Sequence, residues 1–465
     1  MNKQRIVFKY IIYDMVASII VWVLFMYFRK FVNDAQLLFN TQIFIPNYNF
    51  YTSLFIFPFA CLLVHYLSGF YIQPLKQSSV ITFLTTIMAS AIISITIFFV
   101  LLIDDVVVSY QYYYYSLAVL FILLFSVTFA FRKWIRSQVK YKFRTGKWTI
   151  NTIVIGTGKS AQKIGDEIDK NVDQNTLIGY VSADNKNGGV TPLLGNLSLI
   201  EYIIEKNKIE EAIIALDDAS EKELFSIINQ LYKFNIEIQF IPRLYEILTG
   251  SARIKHLQMS PLVSVTAPSM PDWQLSVKRL SDIVLSMIAL ILLSPAFLYF
   301  SIKIKKDSKG PVFYHQERIG RYGKSFNILK FRTMYVNSES GIPRLSSADD
   351  ERITPVGRIL RKYRIDELPQ FWNILVGDMS LVGPRPERRF YINQIVQEAP
   401  YYCMLYKIRP GLTSWGPIRI GYSDSIEKMI ERLNYDIIYI DNMSLLTDLK
   451  ILIFTIEIIF KGKGV

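Results

Sequence analysis

Cysteine is almost missing: Cys61 and Cys403 are the only two among 465 residues, and Cys61 falls inside an apolar run. That excludes a disulfide framework and a thiolate metal site. Histidine is as scarce, and His65, His256 and His315 lie too far apart in sequence to suggest a metal centre. Acid is outnumbered by base, 39 Asp and Glu against 52 Lys and Arg, leaving a formal charge of +13. A nucleic acid could balance that charge, but no segment resembles a nucleic-acid-binding module; in a chain with long apolar runs, an anionic bilayer and phosphate ligands account for it as well. The N-terminus starts basic (Lys3, Arg5, Lys9) and turns apolar, yet it lacks the small-residue cleavage site of a signal peptide. It runs on into Phe25, Met26, Tyr27 and Phe28, which reads as an uncleaved membrane helix.

Half of the chain, 51%, is hydrophobic while 20% is charged, and the mean hydropathy is +0.26. That is too apolar for an ordinary soluble enzyme and too charged for a pure membrane bundle, so we expect a mixed protein. Four runs are long enough to cross about 30 Å of hydrocarbon: Tyr10 to Phe28, Thr52 to Ile72, Val80 to Ile103 and Tyr112 to Phe131. Lys3, Arg5 and Lys9 precede the first run, Lys76 separates the second from the third, and Arg132, Lys133, Arg136, Lys140, Lys142 and Arg144 follow the fourth. Asp104 and Asp105 lie on the opposite side, and only Arg29 and Lys30 dissent. The bias places both ends of a four-helix membrane region, residues 1–145, in the cytoplasm.

From Thr152 the pattern changes to short β-branched runs alternating with helical periods: strands at Thr152 to Ile155, Leu177 to Ser182 and Ala212 to Leu216, and helices at Ser160 to Lys170 and Leu199 to Lys206. This predicts a Rossmann-like α/β domain over 146–250 with a parallel sheet. Gly156, Gly158 and Ala161 match the G-x-G-x-x-A form of a nucleotide loop, although close packing of a strand against a helix uses the same small residues. Gly158-Lys159-Ser160 is not a P-loop, because Ile153 stands where that motif needs glycine. Tyr202-x-x-x-Lys206 is a common helical spacing and a weak dehydrogenase pair.

Residues 251–275 are proline-rich and aperiodic, as a linker would be. The apolar stretch that follows, about 280–304, carries Ser294-Pro295 at its centre, so a helix should break or kink there. Lys278 and Arg279 precede it and Lys303, Lys305 and Lys306 follow. Basic flanks at both ends fit a re-entrant hairpin that dips into the inner leaflet; the alternative is a fifth span with a proline kink. Helices are expected at Pro355 to Tyr363 and Pro369 to Val376. The C-terminal stretch 445–460 mixes Asp448, Lys450 and Glu457 with many apolar residues before Lys461 and Lys463, as an interfacial amphipathic helix or a core helix would.

Chemistry concentrates at Arg361-Lys362-Tyr363-Arg364-Ile365-Asp366-Glu367. Adjacent carboxylates after three cations should stay ionised, while the cations attract a polyanion. An ionised Asp366 could attack phosphorus, and Glu367 could help hold a magnesium ion against a diphosphate. In isolation such a pair is usually a solvated surface. Other cations raise its standing, as further candidates to bind substrate phosphate: Arg385, fixed between Pro384 and Pro386; Arg318 in Gln316-Glu317-Arg318-Ile319-Gly320; and Lys330 and Arg332 in Lys330-Phe331-Arg332-Thr333-Met334.

These motifs in order, from Lys278-Arg279 through Ser294-Pro295, Lys330 to Met334, Asp366-Glu367-Leu368-Pro369-Gln370 and Gly383-Pro384-Arg385-Pro386-Glu387, resemble the bacterial sugar transferase family. Its large members are monotopic phosphoglycosyl transferases that join four membrane spans and a nucleotide-binding-like middle domain to a mainly α catalytic domain, here 276–465. The resemblance implies transfer of hexose 1-phosphate from a UDP-hexose to undecaprenyl phosphate with release of UMP, initiating exopolysaccharide, capsule or O-antigen synthesis at the bacterial cytoplasmic membrane. It implies that Asp366 is the nucleophile, that Glu367 and Asp366 hold Mg2+, that Arg361 and Arg385 bind phosphate and that Ser294 and Pro295 break the re-entrant helix; relatives also suggest a homodimer. Ser414-Trp415-Gly416-Pro417 departs from the Gly-Trp-Ala-Gln run of many relatives, which leaves the hexose open. A membrane-tethered nucleotide-sugar epimerase or dehydratase is the rival enzyme, but we find neither its acidic ribose partner nor a Tyr/Lys dyad after the later strands. A nucleotide-sensing scaffold would give Asp366 and Glu367 no task.

Overall fold

A computed structural model describes residues 3–36, 48–75, 77–104, 110–170, 175–183, 189–217, 219–234, 236–242, 262–265, 269–336, 338, 350–421 and 425–460. Lys76, Asp105, Lys461 and Lys463, with residues 251–261 and 266–268 of the expected linker, lie outside them. The chain divides into two compact units, residues 1–149 with 271–277, and residues 150–270 with 278–465.

The first unit holds four long helices, α1 (Lys3–Gln36), α2 (Tyr48–Leu67), α3 (Ser79–Asp104) and α4 (Tyr110–Arg144). Each contains a stretch long and apolar enough to cross a membrane. They pack around Val21, Phe25, Cys61, Ile93 and Leu120, with Trp22 stacked on Phe57 at 4.3 Å between centroids. The fourth helix runs further than its apolar run. Arg132, just past that run, is fully buried. Its Nη2 lies 2.6 Å and its Nε 3.1 Å from the carboxylate of Asp14 on α1. Its Nη1 donates to Thr86 on α3 at 2.9 Å. Tyr71 donates to the same Asp14 at 2.7 Å, and the guanidinium lies 3.7 Å over the Phe70 ring. A buried charge survives only when paired and hydrogen-bonded throughout, and this one ties α1, α3, α4 and the turn after α2 together.

In the second unit the βαβ alternation builds a six-stranded sheet. Its strands are β1 (Ile150–Ile155), β2 (Asn175–Ser182), β3 (Leu193–Asn196), β4 (Glu211–Ile214), β5 (Glu237–Phe240) and β6 (Val263–Ser264), in the order β3-β2-β1-β4-β5-β6. All neighbours pair in parallel except β5 and β6. Helices α5 (Lys159–Lys170), α6 (Ile200–Lys206) and α7 (Glu221–Leu231) connect them. Buried β-branched strands pack on the apolar stripe of α5, Ala161, Ile164 and Ile168. A carboxylate buried in the sheet, Glu211, accepts from Thr152 at 3.0 Å, from Gln239 at 2.5 Å and from Asn175. Tyr202 and Lys206 form a surface cation–π pair on α6, with Nζ 5.1 Å from the centroid.

The apolar stretch with Ser294-Pro295 forms two helices, α8 (Asp272–Leu292) and α9 (Ser294–Asp307), bent by 60° at the break. Proline in the first turn of α9 lacks the N–H that would continue α8, and Ser294 Oγ donates to the freed Ile291 carbonyl at 2.8 Å. The basic flank of α8 again does more than face solvent. Lys278 donates to Val382 O at 2.8 Å and pairs with Asp448 at 2.6 Å, while Arg279 donates to the carbonyls of Ile374 and Leu375 at 2.7 and 3.0 Å.

Beyond α9 come the antiparallel hairpin β7 (Phe313–Ile319) and β8 (Ser325–Phe331), then α10 (Pro355–Lys362), a 3-10 turn over Ile365–Gln370 and α11 (Phe371–Val376). The parallel pair β9 (Ser380–Val382) and β10 (Gly411–Thr413) brackets α12 (Arg389–Glu398) and a second 3-10 turn, Pro400–Lys407. Helices α13 (Trp415–Ile420), α14 (Ile426–Asp441) and α15 (Leu445–Phe460) close the chain. A core of Ile304, Phe331 and Leu360, with Ile365 packed on it, locks α9, β8 and α10 against the turn that carries Asp366. The sheet is joined to this part through Asn229, which donates to Pro400 O at 2.6 Å, and through Tyr232 edge-on to Tyr406 at 5.7 Å.

Candidate active site

The turn Ile365–Gln370 is set by what precedes it. Arg364 takes a left-handed conformation, φ 55°, which ends α10 and reverses the chain so that Asp366 and Glu367 are both buried at 9% exposure. A non-glycine residue held at positive φ stores strain that surrounding structure must sustain. The two carboxylates then meet different surroundings. Glu367 Oε1 accepts from Lys330 of β8 at 2.9 Å and from Arg385 at 3.2 Å, and Oε2 lies 3.8 Å from Arg364. Asp366 accepts no hydrogen bond from any described residue and opens on a cavity of about 520 Å³.

The same division sets their proton affinities. Burial pushes Asp366 up to about 6; Lys330 opposes that rise and the negative charge of Glu367 adds to it. Glu367 is equally buried, but Lys330, Arg385 and Arg364 outweigh burial and hold it below the usual carboxylate range. Asp366 is therefore the easier of the two to protonate.

Lys330, Arg318, Arg332, Arg361 and Arg385 all line this cavity, beside Asp366 and Glu367. They are not equivalent. Arg361 donates from Nε to Thr333 at 2.9 Å. Arg332 departs from the expectation of a phosphate ligand, because its terminal nitrogens hold the carbonyls of Lys309 and Ser308 at 2.7 and 2.8 Å; its guanidinium fastens the chain leaving α9. Arg318 is engaged likewise, with Gln316 at 2.7 Å, Pro386 O at 3.1 Å and Glu387 at 3.3 Å. It joins β7 to the Pro-Arg-Pro segment, and burial lowers its proton affinity. Arg385 is held from behind: its backbone N donates to Asp436 at 3.3 Å, and Asp436 also accepts from Ser414 and from Gly416 N.

Sequence reasoning missed Arg352, Arg388, Arg432, Tyr314 and Tyr391, which also line the cavity. Arg432 pairs with Glu387, and a signal for it does exist in the sequence. The buried face of α14 runs Met429, Arg432, Leu433, Asp436, Tyr439, Ile440, so two charges interrupt a core stripe; buried charges imply partners or ligands. The remaining residues carry no local signal, because the fold assembles them from separate segments.

Gly156, Gly158, Ser294 and Pro295 lie away from this cavity. The glycine loop has the geometry of close packing. A side chain at Gly156 (φ +132°) would collide with the Ala215 carbonyl, and one at Gly158 with the Asp217 carboxylate. Asp217 also accepts from Ser160 N at 3.1 Å, so the start of α5, where a nucleotide phosphate would bind, holds the chain's own anion.

Magnesium usually takes one or two carboxylates together with substrate phosphates. Among the described residues no group of three or more His, Cys, Asp or Glu could hold a metal. Asp366 and Glu367 Oε2 nevertheless fit a shell completed by a diphosphate, since neither is occupied by a hydrogen bond from a described residue.

A family profile described as bacterial sugar transferase matches residues 273–462, and one described as a CoA-binding domain matches residues 67–242. The chain is 40% identical over 230 residues to the UDP-N-acetylgalactosamine-undecaprenyl-phosphate N-acetylgalactosaminephosphotransferase of Aeromonas hydrophila, covering 50% of this chain and 54% of that protein. It is 33% identical over 282 residues to the UDP-glucose:undecaprenyl-phosphate glucose-1-phosphate transferase of Escherichia coli K12, covering 60% of each. Each match spans less than two thirds of the relative's length. An uncharacterized sugar transferase of Haemophilus influenzae is 30% identical over 383 residues, covering 74% of this chain and 76% of that protein. The matched stretch 273–462 contains the whole cation-lined cavity, and the chain belongs to the bacterial sugar transferase family.

Proposed function

We infer that the chain transfers a hexose 1-phosphate from a UDP-hexose to undecaprenyl phosphate, releasing UMP, by way of an aspartyl-phosphosugar on Asp366. The observation that carries this reading is the contrast within the pair: Glu367 is anchored by Lys330 and Arg385, whereas Asp366 faces the cavity without a hydrogen bond from any described residue. A nucleophile needs such a free, ionised oxygen and an electrostatic cradle for the charge on phosphorus. The names of the Aeromonas and Escherichia relatives support the substrate classes; the two carry different sugars, and a UDP-linked hexose is the donor class common to both.

In the first step Asp366 Oδ attacks the phosphorus next to the sugar, and the bond to the UMP oxygen breaks. Lys330 and Arg385, both held by Glu367, stand beside that phosphorus and offset its charge, while Arg361 takes a further oxygen. A magnesium ion held by Asp366 and Glu367 would supply further neutralisation of the diphosphate. In the second step the lipid phosphate attacks the phosphosugar and Asp366 leaves as a carboxylate. The product would initiate a surface polysaccharide such as exopolysaccharide, capsule or O-antigen. On this reading residues 1–145 are the membrane region, 146–250 a Rossmann-like domain and 276–465 the catalytic domain, in a bacterial cytoplasmic membrane with the catalytic side inward. The bend at Ser294-Pro295 makes α8 and α9 a re-entrant hairpin. Exposed Leu285, Ile288, Ile291, Leu292 and Leu298 suit a hydrocarbon environment.

Three outcomes follow. Purified protein incubated with UDP-hexoses, undecaprenyl phosphate and magnesium releases UMP; release of UDP, or of no nucleotide, contradicts the reading. Because Asp366 is raised to about 6, the carboxylate fraction grows with pH through that value. The pre-steady-state rate of UMP release without acceptor therefore falls about tenfold per pH unit below about 6. The donor diphosphate has no group titrating there, so a limb near the ordinary carboxylate value, about 4, contradicts the assignment. Finally, in a variant with both native cysteines replaced, a cysteine at exposed Lys306 reacts with an impermeant thiol reagent from the cytoplasmic side only, and labelling from outside refutes the hairpin.

A further inference from the structure

The base of α8 is bonded more heavily than membrane anchoring requires. Lys278, Arg279 and Asp282 share one face of the helix, and Val284, Met287 and Ile291 lie exposed on the other. All three polar side chains end on one short stretch, residues 374–382. Arg279 donates to the carbonyls of Ile374 and Leu375 at the end of α11, at 2.7 and 3.0 Å. Lys278 donates to Val382 O at 2.8 Å. Asp282 accepts from Ser380 Oγ at 2.8 Å through one oxygen and from Leu381 N at 2.9 Å through the other.

That stretch links the carboxylate pair to Arg385. Helix α11 starts where the turn carrying Asp366 and Glu367 ends, and β9 leads into Gly383-Pro384-Arg385. Between them the chain reverses at Gly377, whose φ of +108° favours glycine. The backbone N–H groups of Gly377, Asp378 and Met379 all donate to Asn373 O. The Asn373 side chain also binds β8 beside Lys330, accepting from Leu329 N at 2.9 Å and donating to Asn327 O at 2.8 Å. Nucleophile turn, Lys330 strand and Arg385 segment therefore share one mount, and the base of α8 grips it at both ends.

Anchoring alone accounts for the two cations but not for Asp282. A carboxylate at the base of a hairpin that enters a bilayer is costly, and this one is only 3% exposed. Its two bonds to β9 offset that cost. The strand needs the support, since β9 belongs to a sheet of two strands whose other member is β10. A displacement of about 1 Å in a charge-stabilising group can lower a rate by about a hundredfold, so the seating of β9 bears on the chemistry.

We propose that Asp282 is a positioning residue: with Lys278 and Arg279 it makes the base of α8 a splint that sets Arg385 against Asp366. Seating of the hairpin thereby also seats the cation. The proposal rests on the phosphotransferase reading above, in which Arg385 offsets charge on phosphorus, and adds what holds Arg385 there.

A double-mutant cycle on the full-length protein in detergent micelles tests it, read as the rate constant of UMP release in single turnover, with enzyme in excess over UDP-hexose and no lipid acceptor. A rate constant, unlike an amplitude, does not depend on how much of the protein is folded. Asp282→Ala removes both bonds to β9 and should lower the constant about tenfold or more in the otherwise unaltered protein, but less than about twofold in an Arg385→Ala background, because an absent arginine cannot be misplaced. Asp282→Asn, whose amide can accept from Leu381 N and donate to Ser380 Oγ, should keep the constant within about threefold of the parent. If Asp282→Ala does not accumulate, Ser380→Ala removes one bond and should show the same contrast between backgrounds at about threefold. An equal fall in both backgrounds, no fall in either, or an Asn variant as slow as the Ala variant overturns the positioning role. Absence of UMP release from the parent protein refutes the phosphotransferase reading itself, a different result from additive variants.

Discussion

Glu367 is a buried carboxylate with three cations around it, and each comes from a different place: Lys330 from β8, Arg364 from the strained end of α10 and Arg385 from between two prolines. A charge taken out of water must be compensated on the spot, so the hairpin, the turn and the Pro-Arg-Pro segment have to meet there for the domain to be stable. Satisfying Glu367 leaves its neighbour Asp366 in the same low-dielectric setting without a hydrogen bond from any described residue. One carboxylate absorbs the structural demand, and the other is left available for chemistry. Their proton affinities move in opposite directions for that reason.

The remaining charge of this basic chain is less free than its sum implies. Arg332, Arg318, Lys278 and Arg279 each donate to backbone carbonyls, and Arg132 is neutralised by Asp14 inside the helical bundle. These cations end helices, join strands to loops or lock helices in register. The same economy of contacts ties α8 to the segments around β9 and α15: Lys278 meets Asp448 of α15, and Asp282 accepts from Ser380 Oγ and Leu381 N beside β9. A shift of α8 would be felt at β9, on the strand that leads to Arg385.

Much of this was legible in the residues, and what was not has physical causes. Apolar run length disclosed the four long helices, and Ser294-Pro295 disclosed the break, because both are local properties of the chain. The β-branched strands of the sheet were equally local, although β3, β5 and α7 gave too short or too mixed a pattern to place. The Asp366-Glu367 pair was visible but meaningless alone, since adjacent carboxylates differ only after Lys330 and Arg385 arrive from other segments. Arg332 and Arg318 read as ligands for the same reason in reverse: a cation beside a motif carries no sign of the carbonyl that will hold it. Gly156 and Gly158 matched a nucleotide loop, and only Asp217, far along the chain, shows that the helix start is occupied.

The proposed covalent role of Asp366 is the centre of the account, and the mass of the protein's own peptides tests it most directly. Protein mixed with UDP-hexose and magnesium without any lipid acceptor, then acid-quenched and digested, should carry one hexose phosphate on the peptide containing Asp366, and an Asp366→Asn protein should carry none. UMP released without an adduct, or an adduct on another residue, would contradict it.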